Sequence, residues 1–295
     1  MGDYRNLEII ATELRTDILQ SLFLAQSGHP GGSFSCIDIL TSLFFDKNFK
    51  YDKDNPDWAY RDKFVLSKGH AAPALYAVLS KADYFPKEWL WTLRTVGSKL
   101  QGHPHPKTPG VECVTGSLGQ GLSIAKGIAL ADIIDGRTDC RTYVLLGDGE
   151  LQEGQIYEAR RNIVHNNMSN IIAILDQNGL QLDGKVQEIS KLGKIRKDWE
   201  DIGWHVIGEE ISWEERIQNS RRVNGHDFNF LISSLNEARK SKEPTLIIAN
   251  TIKGKGISKM ENKYEWHGAK ISKEIYIEAY REFNDKLMEL KWPTK

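Results

Sequence analysis

The chain has 295 residues, with 39 Lys and Arg against 40 Asp and Glu, for a formal net charge of -1. A balance this even offers no field to attract nucleic acid or an anionic membrane. The longest apolar runs, such as Ile171 to Leu175, fall far short of the ~18 residues that a bilayer span needs. The start Met1-Gly2-Asp3 is unlike a signal peptide, and Cys36, Cys113 and Cys140 are too few and too scattered for a disulfide framework or a zinc site. A soluble, cytoplasmic protein with reduced thiols is the expectation.

In chain order, Leu7, Ile10, Leu14, Ile18 and Leu22 recur at helical spacing and predict a long first helix with one buried face. A second helix is expected from Cys36 to Phe45, entered through Ser33 and Ser35. Short apolar strands follow at Phe64 to Ser67, Thr142 to Leu146, Ile171 to Leu175, Trp204 to Ile207 and Thr245 to Asn250. Helical patterns lie between them at Gly119 to Ile134, Gln155 to Asn166 and Asp227 to Lys240, and one more amphipathic helix runs from about Ile271 to Leu290. Runs that are apolar on both faces and alternate with helices predict an α/β fold, a mostly parallel sheet covered by helices on both faces. One domain spanning residues 1–295, with a carboxy-terminal helix, is the simplest organisation. The polar stretch from Ser212 to Arg222 reads as an exposed surface excursion.

In such sheets ligands gather beyond the carboxyl ends of the strands, where helix N-termini also point. The strand ending at Leu146 runs into Gly147-Asp148-Gly149, and the strand ending at Leu175 runs into Asp176-Gln177-Asn178-Gly179-Leu180. If the two strands are neighbours, Asp148 and Asn178 project from matching ends. With the Leu180 carbonyl they make a hard oxygen set, suited to Mg²⁺ or Ca²⁺ rather than zinc. Gly149 lets the backbone approach a phosphate closely, and the helix beginning near Glu153 or Gln155 offers N–H groups to the same anion. Gly-Asp-Gly or Asn-Gly alone is ordinary turn chemistry. Their placement at two strand ends with one helix between favours a diphosphate bridged to the protein by a divalent cation.

Gly147-Asp148-Gly149 followed by Asn178 resembles the thiamine-diphosphate motif, and residues 5 to 270 are similar to the amino-terminal, diphosphate-binding domain of transketolases. The resemblance rests also on Ser27-Gly28-His29-Pro30-Gly31, Phe64 to His70, Gln101-Gly102-His103-Pro104, Gly110 to Gly121, Thr251 to Gly256, and Trp266-His267-Gly268. It implies that Asp148, Asn178 and the Leu180 carbonyl hold the metal, and that His70, Gly149, Lys253 and His267 contact the diphosphate. Gly116 and Leu118 would support the cofactor. His29, His103 and His267 would line the channel to the reactive carbon, where imidazole suits proton transfer near neutrality. Glu153 and Glu158 fall where the family places acids at a subunit interface near the cofactor; Glu158 is equally well a first-turn helix acid. His165 and His205 are expected to be structural, His226 to belong to the cap before Asp227, and His105 is open.

The resemblance also implies what lies beyond this chain. In transketolases the glutamate that activates the aminopyrimidine comes from a second, pyrimidine-binding domain, which this sequence does not contain. The implied protein is the amino-terminal subunit of a split transketolase, an α₂β₂ assembly transferring a two-carbon ketol unit between sugars. Ser117 stands where many full-length members have proline, and the stretch Ile211 to Val223 is longer than the family's turn. The alternatives are a related enzyme acting on a modified sugar, a deoxyxylulose-phosphate synthase, the α chain of a 2-oxoacid dehydrogenase, or a non-catalytic cofactor-binding subunit.

Overall fold

Five strands form a single parallel sheet in the order β1-β2-β3-β5-β4, in a computed structural model that describes residues 3–219 and 222–292. They are β1 (Lys63–Leu66), β2 (Thr142–Gly147), β3 (Ile171–Gln177), β4 (His205–Ile207) and β5 (Thr245–Asn250). Eleven α-helices are described: α1 (Arg5–Ala25), α2 (Pro30–Ser35), α3 (Ile37–Phe45), α4 (Ala72–Lys81), α5 (Gln120–Ile134), α6 (Gly154–His165), α7 (Val186–Ile189), α8 (Ile195–Glu200), α9 (Trp213–Gln218), α10 (Phe228–Lys240) and α11 (Lys273–Lys291).

Side chains alternate across a strand, and here each alternation feeds a different core. Tyr143, Leu145, Ile172, Ile174, Ile247 and Ala249 join residues of α1, α3, α4 and α11 on one face. Val144, Leu146, Ala173, Leu175, Leu246 and Ile248 pack with residues of α5, α6 and α8 on the other. That two-sided burial is why the strands read as unbroken apolar runs, and the expected parallel sheet with helices on both faces is what forms.

The register sets the site. β2 pairs with β3 so that Gly147 lies opposite Asp176, and β3 pairs with β5 so that Gln177 lies opposite Asn250. The segments after these three strands therefore emerge together at one sheet edge. Placing β5 between β3 and β4 makes this the crevice where ligands collect in open sheets.

Several boundaries differ from expectation. β1 begins at Lys63 and ends before Ser67, and Trp204 lies outside β4. Ser33 and Ser35 sit inside α2 and cap nothing; α3 restarts after a break at Cys36. The supposed exposed excursion is half wrong: α9 opens with a reciprocal Ser212–Glu215 capping box and buries Arg216. Ser220 and Arg221 of that stretch lie outside the described residues. Cys36 and Cys140 are buried, Cys113 half-buried, and all three are free. No described helix is long and apolar enough to cross a membrane.

Candidate functional site

Asp148 begins the turn that follows β2, and the turn after β3 reaches it directly. The Gly179 N–H donates to Asp148 Oδ2 at 2.5 Å and the Gly149 N–H to Oδ1 at 2.9 Å. Asn178 Oδ1 accepts from the Leu180 N–H at 3.1 Å, which folds the amide back over its own turn. Asp148, Asn178 and Leu180 are buried at 3%, 4% and 4% exposure. Two adjacent strands thus bring a carboxylate, an amide oxygen and a carbonyl to one buried place.

From β5 comes Lys253, also buried, whose ammonium donates to the Leu180 carbonyl at 3.1 Å and to His267 Nδ1 at 3.0 Å. These groups line a cavity of about 250 Å³ with Gly32, Lys68, His70, Leu118, Gly149, Glu153 and Gln181. A Cβ at Gly149 would sit 2.9 Å from Gln181 Oε1 and 3.1 Å from Gln181 Cβ, so a larger residue there would have to displace the Gln181 side chain. Larger cavities lie elsewhere, such as one of about 400 Å³ between α1 and α11, which meets the motifs only at Lys255 and Gly256.

The four motif histidines gather at the cavity and its rim. Ring centroids are 4.9 Å apart for His70–His267, 5.3 Å for His29–His70, 5.6 Å for His29–His267 and 6.4 Å for His29–His103. Among the described residues, His29 Nδ1 and Thr115 Oγ1 are buried without a hydrogen-bond partner. Burial, then the nearby Arg94, His103 and Lys253 charges, pushes His29 down to about 4. Burial and Lys253 push His267 down to about 3, and burial with Lys68 holds His70 well below the usual imidazole range. His103, exposed at the rim, is lowered by partial desolvation and Arg94. Lowered this way the imidazoles are neutral at neutral pH and able to hydrogen-bond a ligand, while His29 and His267 are too weakly basic to take up a proton unless a bound anion raises them. A Cβ at Gly116 would lie 3.1 Å from the His103 ring, so that loop backs the rim histidine closely.

Asp148 and Lys253 shift toward neutrality from opposite sides. Burial raises the Asp148 carboxyl despite the Gly179 N–H, and burial lowers the Lys253 ammonium despite Asp148 and Asp176. The charges around each, Arg216 and Lys253 for Asp148, Asp148 and Asp176 for Lys253, do not offset the cost of burial.

Other sequence expectations fall outside the cavity. Glu158 is exposed on α6, His165 is exposed at that helix's end, and His205 on the edge strand contacts Glu237 at 2.8 Å. His105 Nδ1 accepts from the Lys107 N–H within a local turn. His226 does not cap α10; the Asp227 carboxylate does, through the Asn229 N–H. His226 is instead buried between Asp38, 2.7 Å from Nδ1, and the Ile252 N–H, which donates to Nε2 at 2.8 Å. Since Nε2 accepts, Nδ1 carries the proton, and a neutral imidazole anchors the loop that carries Lys253.

Three buried charges at the cavity, Lys68 and Glu150 in its lining and Asp176 paired with Lys68, escaped the sequence reading. Glu150 is 2% exposed and gathers the Ser67 hydroxyl at 2.5 Å, the Gly119 N–H at 2.8 Å and the Gly147 N–H at 3.0 Å. It ties the end of β1, the start of α5 and the start of Gly147-Asp148-Gly149 into one knot. Asp176 and Lys68 form a buried ion pair, joined by the hydroxyls of Ser35 and Thr251, which donate to the carboxylate. The one available signal was position: Asp176 lies one residue before the end of a strand buried on both faces, where a charge requires a partner.

A family model described as the transketolase, thiamine diphosphate binding domain, matches residues 8–284. The chain is 38% identical to one subunit of the apulose-4-phosphate transketolase of Phocaeicola vulgatus, covering 96% of each chain. It is also 38% identical to the SqwG subunit of the 6-deoxy-6-sulfo-D-fructose transketolase of Clostridium sp., covering 94% of this chain and 96% of that one. Among solved structures, transketolase from Campylobacter jejuni superposes with a TM-score of 0.86 at 33% identity, covering 96% of this chain and 43% of that one. The chain therefore spans less than half of the full-length solved enzyme and nearly all of the two relatives named as single subunits.

Proposed function

The chain belongs to the transketolase family through its thiamine diphosphate binding domain, and from that premise we propose that it is the amino-terminal subunit of a two-subunit transketolase. It would transfer a two-carbon ketol unit between a ketose and an aldose, together with a partner subunit that carries the pyrimidine-binding surface, as an α₂β₂ assembly in the cytoplasm. The observation that carries this reading is the convergence of Asp148, Asn178 and the Leu180 carbonyl with Lys253, His70 and His267 on one buried cavity.

The residues present fit the cofactor and a divalent ion. Burial outweighs the opposite charges around both groups, so a cation would favour the Asp148 carboxylate and a diphosphate the Lys253 ammonium. Asp148, Asn178 and the Leu180 carbonyl would hold Mg²⁺ or Ca²⁺; Lys253, His70, His267 and the Gly149 N–H would hold the diphosphate. Gly116, Leu118 and Glu153 would bound the rest. At about 250 Å³ the cavity is below the ~300–1,000 Å³ typical of whole-ligand pockets, room for part of the cofactor with the remainder covered by another surface. When bound, thiamine diphosphate supplies the carbon nucleophile and electron sink. The chain's own contribution is positional and protonic: neutral His29, His103 and His267 stand at the rim, and the orphaned Nδ1 of His29 is free to bond a sugar hydroxyl.

Both subunit-length relatives carry names of unusual ketoses, one phosphorylated and one sulfonated, which favours a modified, acid-tailed sugar over ordinary pentose phosphates. The test is ketol transfer by the chain assembled with its partner, across phosphorylated and sulfonated ketoses. Turnover that requires both chains and thiamine diphosphate supports the reading; robust turnover by this chain alone, or none by the assembly, refutes it.

A further inference from the structure

The stretch 211–223 brings α9 against the turn that offers two of the three proposed metal donors. Arg216 is 4% exposed. Its guanidinium donates to the Gln177 carbonyl at 2.8 Å, to Gln177 Oε1 at 2.7 Å, and to the Thr251 carbonyl, all at the ends of β3 and β5. Among the described residues no carboxylate is in ion-pair contact with it, and its Nε is buried without a partner. A guanidinium desolvated with carboxylates, Asp148 and Asp176, acting on it only from beyond ion-pair distance is costly to bury, and the carbonyls it holds are what its burial gains.

Gly179 is what it presses on. This residue has φ +79, and a Cβ there would stand 3.1 Å from the Trp213 ring and 3.3 Å from Arg216 Nε. Trp213 and Arg216 are three apart on α9 and so share one helix face. Gly179 in turn delivers its N–H to Asp148, and its neighbours are Asn178 and Leu180. The segment leading into α9 is laced to the same strand ends: Gln177 Nε2 donates to the Ile211 carbonyl at 3.1 Å, and Asn250 Nδ2 to the Glu209 carbonyl at 2.8 Å.

We infer that α9 is a clamp on the cation-holding turn, with Arg216 and Trp213 as positioning residues that fix Asn178 and the Leu180 carbonyl for the metal. The clamp rests on the proposed metal site, yet its mechanical half can be measured without ligand. A rigid planar fork is needed to reach two carbonyls and an amide oxygen at once, which an ammonium does not supply.

The test uses the full chain, alone for amide hydrogen exchange and assembled with its partner for calorimetry with thiamine diphosphate and Mg²⁺. Arg216→Met removes the fork; Trp213→Ala, at a half-buried position, keeps the test available should the first variant not fold. Either variant should speed exchange in residues 178–181 by about tenfold or more while β2 exchanges at the parent rate. Mg²⁺-dependent affinity for thiamine diphosphate should fall by about 10–100-fold, the usual effect of removing an outer support of a metal site. Arg216→Lys should follow Arg216→Met. Unchanged exchange, or faster exchange with unchanged affinity, overturns the clamp. Absence of Mg²⁺-dependent binding in the parent assembly defeats the functional proposal instead, and the exchange result, obtained without ligand, then decides the clamp by itself.

Discussion

Breaking the Lys68–Asp176 pair should destabilise the chain more than any surface ion pair does. The two side chains are 2% and 0% exposed. Besides Asp176, the Lys68 ammonium donates to the Gly32 carbonyl at 2.9 Å, so the pair ties α2 to the end of β3. Asp176→Asn leaves a buried ammonium with neutral acceptors only, the Gly32 carbonyl and the new amide oxygen; Lys68→Met leaves a buried carboxylate facing two hydroxyls, Ser35 at 2.6 Å and Thr251. Removing one partner of such a pair costs about 3–5 kcal/mol, a large part of the ~5–15 kcal/mol by which domains are stable, and should lower the melting temperature by roughly 6–20 °C. The double variant removes both charges and should cost less than the sum, with a coupling energy of about 2 kcal/mol or more in a denaturant-unfolding cycle. Additivity within about 0.5 kcal/mol would refute the pairing. Burial alone raises the Asp176 carboxyl, and Lys68 with its hydroxyl donors outweighs it, holding the group below the usual carboxylate range. The contribution is therefore complete above the unfolded carboxyl value of ~3.9 and is lost as pH falls through the folded value.

Further outcomes follow from the site. Asp148→Asn removes the only formal negative charge among the proposed metal donors, and Mg²⁺-dependent binding of thiamine diphosphate to the assembly should weaken by more than about 100-fold in calorimetry; parent-like affinity would show that Asp148 does not hold the metal. Glu150→Gln sets an amide N–H against the Gly147 or Gly119 N–H; it should cost about 1–3 kcal/mol in denaturant unfolding, and parent-like stability would show that the knot is not formed. By NMR, His29 and His267 should titrate with midpoints of about 4 and about 3. Because the unfolded chain takes up protons near ~6.5 and the folded chain does not, stability should fall as pH drops from about 6.5 toward 4; midpoints near 6.5 would contradict their burial.

How much of this was legible from sequence depended on whether a residue's environment is local. Thr142 to Leu146 and Ile171 to Leu175 announce strands because both faces of each are buried, one in each core. The ends of Gly147-Asp148-Gly149 and Asn178 are readable because turn residues directly follow those runs. Glu150, Lys68 and Asp176 were not readable as a framework, since their partners lie far along the chain: Ser67 is 83 positions from Glu150, and Lys68 is 108 from Asp176. Arg216 misled for a related reason. Charged residues crowd the run from Ser212 to Arg222, with Glu214, Glu215, Arg216, Arg221 and Arg222, which signals a solvated surface; only the tertiary placement of two strand-end carbonyls turns one of those arginines inward. His226, beside Asp227, likewise looked like part of a cap, although its partner Asp38 sits 188 positions away.

The central claim is that one cation is held jointly by the turns after β2 and β3. Its most direct measurement is a crystal structure of the assembled complex with thiamine diphosphate and Mn²⁺, read from the anomalous signal of the metal. The account predicts a single peak within coordination distance of Asp148, Asn178 and the Leu180 carbonyl, with Lys253 turned to the diphosphate. A peak remote from Asp148 and Asn178, or cofactor bound with no metal between those turns, would contradict it.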